Sequence, residues 1–497
     1  LLVAIDGLRW PGAAALGLIQ GVLTNAATQS WVLEGLQGTA GMGILGSGFF
    51  FAGFAIWQGM RTACLAILVS LGVARGWPRL GVFPLGLVAV ELLYPMVFPW
   101  FTAIYVHTQP AWLQLAESGG PLIVSGWLAL VNVSLAEALL RRRSAARVRA
   151  IVAGAATLLI VTGIGWLWTR DVERTMSGVP RLRIGVVQGD IDKTKGAQGD
   201  PVLTFRSASL ELVRESPGLD LLVWPETAVP YPTRVGKLPR FFRDHALRDR
   251  RDGATAERIS VPLLAGMVLD NGDPTRDSTR APIRETAAEP DAEVLSNSAV
   301  LADANGRVLG IYDKQQLVPI GERAPFSDWH KGMDAILPPV TRFSITRPPR
   351  ALPLGSSRLF VSICYEDILH RSFRTAVHET VPDLLINLTS DSWFKGSSAA
   401  ELHFALAKLR AVEHRRFLLR VTNDGVTAAV APTGRVHWQL PPGERARGVV
   451  EVGLFREPTR YERLGDVPWF GAVGLIVLMT LTDRHRIRRH GRRPPVS

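Results

Sequence analysis

The sequence predicts a multi-span α-helical membrane bundle joined to an extracytoplasmic α/β sandwich, and three observations predict it. The 497 residues are 47% hydrophobic and only 20% charged, with a mean hydropathy of +0.16, above what a soluble domain of this size shows. The apolar excess is concentrated, because the long uncharged runs crowd before Arg170, with one more near the C-terminus. From about Pro180 the pattern changes to short β-rich runs separated by Pro, Gly and charged residues.

A helix needs about 20 apolar residues to cross the hydrocarbon core, since each residue rises about 1.5 Å across about 30 Å. Trp10–Leu33, Gly35–Met60, Gly119–Ala136 and Ala150–Thr169 meet that length. Leu80–Phe101 meets it with Glu91 held inside the bundle, and Val467–Leu481 is shorter but ends against a dense Arg cluster. Thr62–Ala74 is too short to cross alone and reads as a continuation or a surface helix. These runs divide the chain into a helical membrane domain over residues 1–170 with about five spans, a folded domain over 171–466, and a C-terminal span with a basic tail over 467–497.

Charge fixes the expected orientation. Of the formal net charge of +12, five charges sit in Arg141–Arg149 and six in Arg484–Arg493, each cluster abutting an apolar run. A nucleic-acid-binding protein spreads its basic residues over a face, so these clusters read as topology signals and exclude that class. Lys and Arg stay on the cytoplasmic side of a span. Arg9, then Arg61 with Arg75 and Arg79, then Arg141–Arg149, then the C-terminal cluster all agree with one alternation, which puts about Arg170 to Asp466 outside the cytoplasm.

In that region Leu182–Val187, Leu221–Trp224, Leu263–Val268, Leu359–Cys364 and Leu384–Leu388 are continuous apolar runs that suit strands buried on both faces. Ser298–Leu309 with Asn305-Gly306, and Thr427–Trp438 with Gly434, read as hairpins. His403–Val421 has a helical apolar face opposite Arg410, Arg415 and Arg416, and Asp270–Asp291 reads as an exposed loop.

The chain has two cysteines, Cys64 in an apolar run and Cys364 at the end of a predicted strand. They fall in different compartments, so no disulfide joins them, and an unpaired thiol at a strand end is a candidate nucleophile. A thiol of ordinary pKa needs a base or a cation beside it. Glu226 follows the strand Leu221–Trp224, and Lys314 follows the first hairpin and precedes Pro319-Ile-Gly-Glu322. A Glu could take the thiol proton, and a Lys could stabilise the oxyanion formed when the thiolate attacks a carbonyl. No His/Cys cluster with metal-ligand spacing occurs, and the chemistry calls for no cofactor.

Trp224-Pro-Glu226, Tyr312-Asp-Lys314 and Ile363-Cys-Tyr-Glu366 resemble, in that order, the Glu–Lys–Cys signature of the nitrilase or carbon–nitrogen hydrolase superfamily. With the membrane half included, the whole chain resembles the apolipoprotein N-acyltransferase family; further matches are Gln188–Ile191, Asn297-Ser298, Asn387–Trp393, Arg410–Glu413 and Tyr461–Asp466. The resemblance implies a nitrilase-like αββα sandwich with Glu226 as general base, Cys364 as the nucleophile that becomes a thioester, and Lys314 as the oxyanion-stabilising cation. It implies a supporting role for Glu322, required neighbours of the nucleophile in Tyr365 and Glu366, and pocket scaffold in Asn387 and Trp393.

The implied reaction is ping-pong acyl transfer from a phospholipid, phosphatidylethanolamine above others, to the N-terminal amine of diacylglyceryl-cysteine lipoproteins in a bacterial inner membrane, with the catalytic domain periplasmic. Two rival readings are a membrane-tethered amidase, for which one anchor would suffice, and a non-catalytic membrane scaffold. The family has eight spans, so the expectation is that the first two are absent and Leu1 falls in a cytoplasmic loop. The family's aromatic contact after Gln188-Gly is also absent: Asp190–Gly196 offers Lys193 and Lys195 in its place, which could meet a lipid phosphate.

Overall fold

A computed structural model describes residues 1–497 other than 39–40, 141–144, 192–199, 248–257, 273–293, 319–321, 323–342, 393–396 and 491–497. Residues 1–176 are helical almost throughout, as Trp10–Thr28, Trp31–Gly38, Ile44–Ala74, Arg79–Leu93, Ala116–Leu140 and Ala145–Met176. Among the described residues, three helices are long and apolar enough to cross a membrane, namely Ile44–Ala74, Ala116–Leu140 and Ala145–Met176. Helix Ala145–Met176 buries only Ala150, Gly154, Gly165 and Thr169 and turns Leu159, Ile160, Trp166 and Leu167 outward. A helix that exposes such a face is stable in lipid, not water.

Three expected spans have different bounds. Thr62–Ala74 is the continuation of the preceding helix, in one 31-residue segment starting at Ile44. Arg61 is therefore a mid-helix residue, whose guanidinium donates to the Trp100 carbonyl at 2.7 Å, and it does not lie at a turn between helices as Arg75 and Arg79 do. The Leu80–Phe101 run is helical only to Leu93; Pro95 and Pro99 cannot extend a helix, and the chain turns into an aromatic loop. Glu91 is buried and accepts from the Thr102 N–H at 2.8 Å and hydroxyl at 2.7 Å. The first run breaks after Thr28, whereas the C-terminal run begins the helix Val467–His490.

Helices Trp10–Thr28 and Ile44–Ala74 cross in close contact through glycine. A Cβ on Gly21 would lie 2.4 Å from the Gly59 carbonyl oxygen, so only glycine lets the backbones meet, which is how membrane helices associate without a hydrophobic drive. Gly21→Leu is expected to destabilise the protein by about 1–3 kcal/mol through overpacking, read as a lower thermal unfolding midpoint in detergent. Gly53→Leu, where nothing lies within 4 Å, is expected to leave the midpoint unchanged.

The second half is a sandwich of two sheets. Its strands are β1 Arg181–Gln188, β2 Leu221–Val223, β3 Val229–Arg234, β4 Leu263–Asp270, β5 Leu295–Ala302, β6 Val308–Asp313, β7 Leu352–Leu354, β8 Ser357–Ile363, β9 Leu384–Thr389, β10 Leu418–Thr422, β11 Ala428–Val430, β12 Val436–Gln439 and β13 Ala446–Gly453. One sheet runs β13-β1-β2-β4-β5-β6 with β3 on β4, and the other β12-β11-β10-β9-β8-β7. The central strands β1, β2 and β4, and β8, β9 and β10, are parallel. Ile184, Val223 and Leu264 of the first sheet and Val361, Ile386 and Leu419 of the second share one core. Helix Pro201–Glu215 covers the first sheet, with Phe205 and Leu212 against Leu222 and Leu263. Helices His370–Thr380 and Ala399–His414 cover the second through Phe373, Val377, Phe404 and Ala411. The result is the expected αββα layering.

The five expected strands and both hairpins are present. The His403–Val421 helix is not: it runs Ala399–His414, stops at Arg415 with φ +48°, and gives way to β10. Its arginines do not face solvent. Arg410 and Arg416 are buried, and Arg415 pairs with Glu117 of a membrane helix at 2.6 Å. This helix lies against the membrane half, with Leu406, Leu409 and Val412 packed among Leu92, Phe101 and Leu113. The loop expected over Asp270–Asp291 falls mostly outside the described residues.

Candidate active site

The parallel strands end on one edge, and the residues just beyond them converge. Glu226 follows β2, Lys314 directly follows β6, and Cys364 directly follows β8. Gly266 on β4 makes room for the Glu226 loop, since a Cβ there would lie 2.3 Å from the Pro225 carbonyl oxygen. Lys314 Nζ donates to Glu322 Oε1 at 2.7 Å and to Glu226 Oε1 at 3.4 Å. Asn297 Nδ2 donates to Glu226 Oε1 at 2.8 Å and to Glu322 Oε1 at 3.3 Å. The Ser390 N–H binds Glu226 Oε2 at 3.0 Å, and the Val318 N–H binds Glu322 Oε2 at 2.9 Å. Both carboxylates are therefore fixed by donors, and all of these side chains are buried.

Electrostatics assigns what each group can do. Burial alone would lower the Lys314 pKa, but Glu322, Glu226 and Cys364 outweigh it and hold the ammonium well above its ordinary value. Burial pushes the Cys364 thiol up, Glu226 adds to this, and Lys314 opposes it. The resting thiol is protonated, so attack needs a base at the moment of reaction. Both cysteines are free.

Cys364 has φ +52°, a left-handed conformation that costs a non-glycine residue about 1–3 kcal/mol unless its surroundings impose it. Glu366 is one such restraint. Its Oε2 accepts the Ile363 N–H at 2.6 Å, and its Oε1 accepts the Gln315 and Gln316 N–H groups at 2.6 and 3.1 Å, with the Tyr312 hydroxyl at 2.9–3.0 Å completing the set. It thus ties the residue before Cys364 to the residues after Lys314 and bonds to backbone and Tyr312, not to the Cys364 thiol. Burial pushes its carboxyl up to about 7 against these donors.

Asn387 supplies a second restraint, donating to the Cys364 carbonyl at 3.3 Å. Tyr365 lines the pocket, donates its hydroxyl to the Val97 carbonyl, and meets Phe98 edge-on with ring centroids 5.9 Å apart. Trp393, and Lys193, Lys195 and Gly196 of the Asp190–Gly196 segment, lie outside the described residues. Asp190 and Ile191 are held by Asn423, whose Nδ2 donates to the Ile191 carbonyl at 2.8 Å.

Glu226, Lys314, Glu322 and Cys364 open into one cavity of about 100 Å³, which Trp31, Phe98 and Trp100 of the membrane half also line as an aromatic wall. Phe98 is the hub of that wall, 5.2 Å from Trp31, 6.0 Å from Phe54 and 5.9 Å from Trp100 by ring centroid. Sequence reasoning missed the wall because Phe98-Pro-Trp100 was absorbed into a span; its two prolines were the available signal. It also missed His403, which lines the same cavity.

A Cys, a Glu and a Lys brought together from the ends of β8, β2 and β6 of an αββα sandwich fit a carbon–nitrogen hydrolase domain, and the family described as Carbon-nitrogen hydrolase matches residues 183–456. The Apolipoprotein N-acyltransferase N-terminal domain matches residues 1–134. The apolipoprotein N-acyltransferase of Geobacter metallireducens is 29% identical over 446 residues, covering 86% of this chain and 79% of its own. That of Azotobacter vinelandii is 30% identical over 409 residues, covering 79% and 70%, and that of Pseudomonas paraeruginosa is 28% identical over 514 residues, covering 99% and 91%. The chain belongs to the apolipoprotein N-acyltransferase family. Among solved structures, an amidase from Nesterenkonia sp. aligns with 57% of this chain and 92% of its own at 18% identity and a TM-score of 0.35, a likeness at which no residue role transfers.

Proposed function

We propose that this chain transfers an acyl group from a phospholipid, phosphatidylethanolamine above others, through a thioester on Cys364 to the N-terminal amine of a diacylglyceryl-cysteine lipoprotein. Glu226 takes the thiol proton as sulfur attacks the donor ester. Lys314, held by Glu322, faces the oxyanion of the tetrahedral intermediate. The glycerol oxygen leaves with the proton from Glu226 as a lysophospholipid. The lipoprotein amine then attacks the thioester, Glu226 takes its proton, and the thiolate leaves and is reprotonated. Asn387, Tyr365 and Glu366 serve this chemistry by holding the Cys364 turn.

The observation that carries the reading is the aromatic wall. A hydrolase of small amides needs no membrane residue in its pocket, whereas here Trp31, Phe98 and Trp100 line the same cavity as Cys364. A lipid donor can remain largely in the bilayer, and each CH₂ left there avoids about 0.8 kcal/mol of extraction. The Arg141–Arg149 and C-terminal Arg clusters support a cytoplasmic loop and tail, with residues 171–466 on the periplasmic face of the bacterial inner membrane and residues 1–170 and 467–497 forming the membrane part.

The test is transfer by the full chain in detergent with phosphatidylethanolamine and a diacylglyceryl-cysteine peptide. The expected product is the N-acylated peptide, released with an equal amount of lysophospholipid. Release of free fatty acid with no acylated peptide, or turnover of simple amides in its place, would favour the amidase reading.

A further inference from the structure

Beneath the nucleophile lies a closed ring of four charges that the triad does not use. His403, on helix Ala399–His414, binds Asp367 Oδ1 through Nε2 at 2.8 Å and Asp391 Oδ1 through Nδ1 at 3.0 Å. Arg420, on β10, donates from Nη1 to Asp367 Oδ2 at 2.8 Å and from Nη2 to Asp391 Oδ2 at 2.9 Å. Each carboxylate therefore bridges both cations, and all four side chains are buried. Nε2 faces Asp367, and Nδ1 faces Asp391 at 3.0 Å and Arg420 Nη2 at 3.2 Å; with a carboxylate oxygen as the nearer partner of each nitrogen, both donate and the ring is an imidazolium. Burial and Arg420 press its pKa down, but Asp367 and Asp391 bring it up to about 9. Two cations and two anions make the ring neutral, which is the condition for burying them.

The ring grips the nucleophile at two points. Asp367 belongs to the same turn as Cys364, Cys364–Ile368. Arg420 Nη1 also donates to Asn387 Oδ1 at 3.3 Å, and the Asn387 amide donates onward to the Cys364 carbonyl at 3.3 Å and to Ser362 Oγ at 3.1 Å. The left-handed backbone of Cys364 is thus held from the ring side as well as by Glu366. The ring is also coupled to the sulfur by charge, since the Cys364 thiolate and the Arg420 guanidinium favour one another. The other charged groups that face His403 across the cavity are Glu226, Lys314 and Glu322.

We infer that His403, Asp367, Asp391 and Arg420 are a positioning set for Cys364, which fixes the nucleophile's backbone through Asp367 and Asn387 and, by being neutral, leaves its thiolate to be governed by Glu226 and Lys314. The inference rests on Cys364 being the nucleophile. It differs from a core-filling role in one respect: what matters is the ring's net charge as well as its shape.

The test is the rate at which iodoacetamide alkylates Cys364 in the full chain in detergent, in a Cys64→Ala background so that one thiol reports. Alkylation forms the S–C bond, expels iodide and passes the thiol proton to Glu226. His403→Gln leaves the ring with one uncompensated negative charge, so alkylation at pH 7 is expected to slow about tenfold, with its pH midpoint moved up by about one unit. His403→Gln combined with Asp391→Asn restores neutrality and is expected to recover the rate to within about threefold of the parent, a non-additivity that lost packing cannot produce. The inference is overturned if the single variant alkylates within about twofold of the parent, or if the double variant is slower than the single.

Asn387→Asp, an isosteric change that turns an acceptor toward the Cys364 carbonyl, keeps the test open should His403→Gln not fold. It is expected to slow alkylation at least about tenfold with phospholipid affinity unchanged, and a rate within about twofold of the parent contradicts the inference. Failure of the underlying reading has a separate signature, namely acyl transfer that continues after Cys364 has been fully alkylated.

Discussion

Cys364→Ala is expected to abolish acyl transfer while leaving the protein folded. The substitution removes one sulfur atom from a partly buried side chain at the pocket, and the turn that carries it stays clamped by Glu366 and Asn387 through backbone groups. The stability cost is therefore small, whereas the chemistry loses the atom that forms the bond. Removing a nucleophile from a set of residues that act as a unit costs about 10⁶ in rate. Initial rates of peptide N-acylation, normalised to protein that keeps its unfolding midpoint, measure the loss. A variant retaining a tenth of the activity, on the order of 10⁵ more than such a loss allows, would mean the thiol is not the nucleophile.

Lys314→Met should produce the next largest effect, and on two observables. The ammonium lies 2.7 Å from Glu322 and 3.4 Å from Glu226. Its removal leaves two buried carboxylates without their shared cation, a change that typically destabilises by about 3–5 kcal/mol. Loss of one oxyanion donor lowers the chemical step by about 10²–10³. The rate of thioester formation should therefore fall that far while phospholipid affinity holds, if, as proposed, the acyl chain packs on the aromatic wall and Lys314 acts on the oxyanion. Lys314→Met with Glu322→Gln removes one of the stranded charges. It should recover part of the unfolding midpoint and none of the acylation rate. Recovery of both would make Lys314 a structural cation only.

The catalytic half was legible because its chemistry sits at the ends of strands, and strands buried on both faces announce themselves as continuous apolar runs. Leu221–Trp224 and Leu359–Cys364 each brought a candidate site residue to the same edge, and Asn305-Gly306 marked the hairpin that precedes Lys314. The membrane half was less legible, since a hydropathy run records that a segment is apolar and not where it bends. Leu80–Phe101 reads as one span, yet Pro95 and Pro99 end its helix and free Phe98 and Trp100 for the pocket. Arg61 voted for a cytoplasmic turn on charge alone, while its guanidinium instead binds the aromatic loop.

The buried charge ring was invisible for a different reason. His403, Arg420, Asp367 and Asp391 come from a helix, a strand, a turn and a loop, and each taken alone resembles a solvated polar residue. Helix Ala399–His414 packs between the sheet and the membrane half, and Arg410 and His403 on it are buried. Sequence spacing carries no record of a surface covered by another part of the chain.

The central claim is that acyl groups pass through Cys364, and intact-mass analysis of the full chain tests it most directly. Protein incubated with phosphatidylethanolamine and no acceptor should gain the mass of one acyl chain, mapped to the peptide bearing Cys364. Neutral hydroxylamine should remove it, and adding diacylglyceryl-cysteine peptide should move the same chain onto the peptide amine. An adduct that persists in Cys364→Ala, or N-acylated peptide formed with no acyl-enzyme on the path to it, would contradict the account.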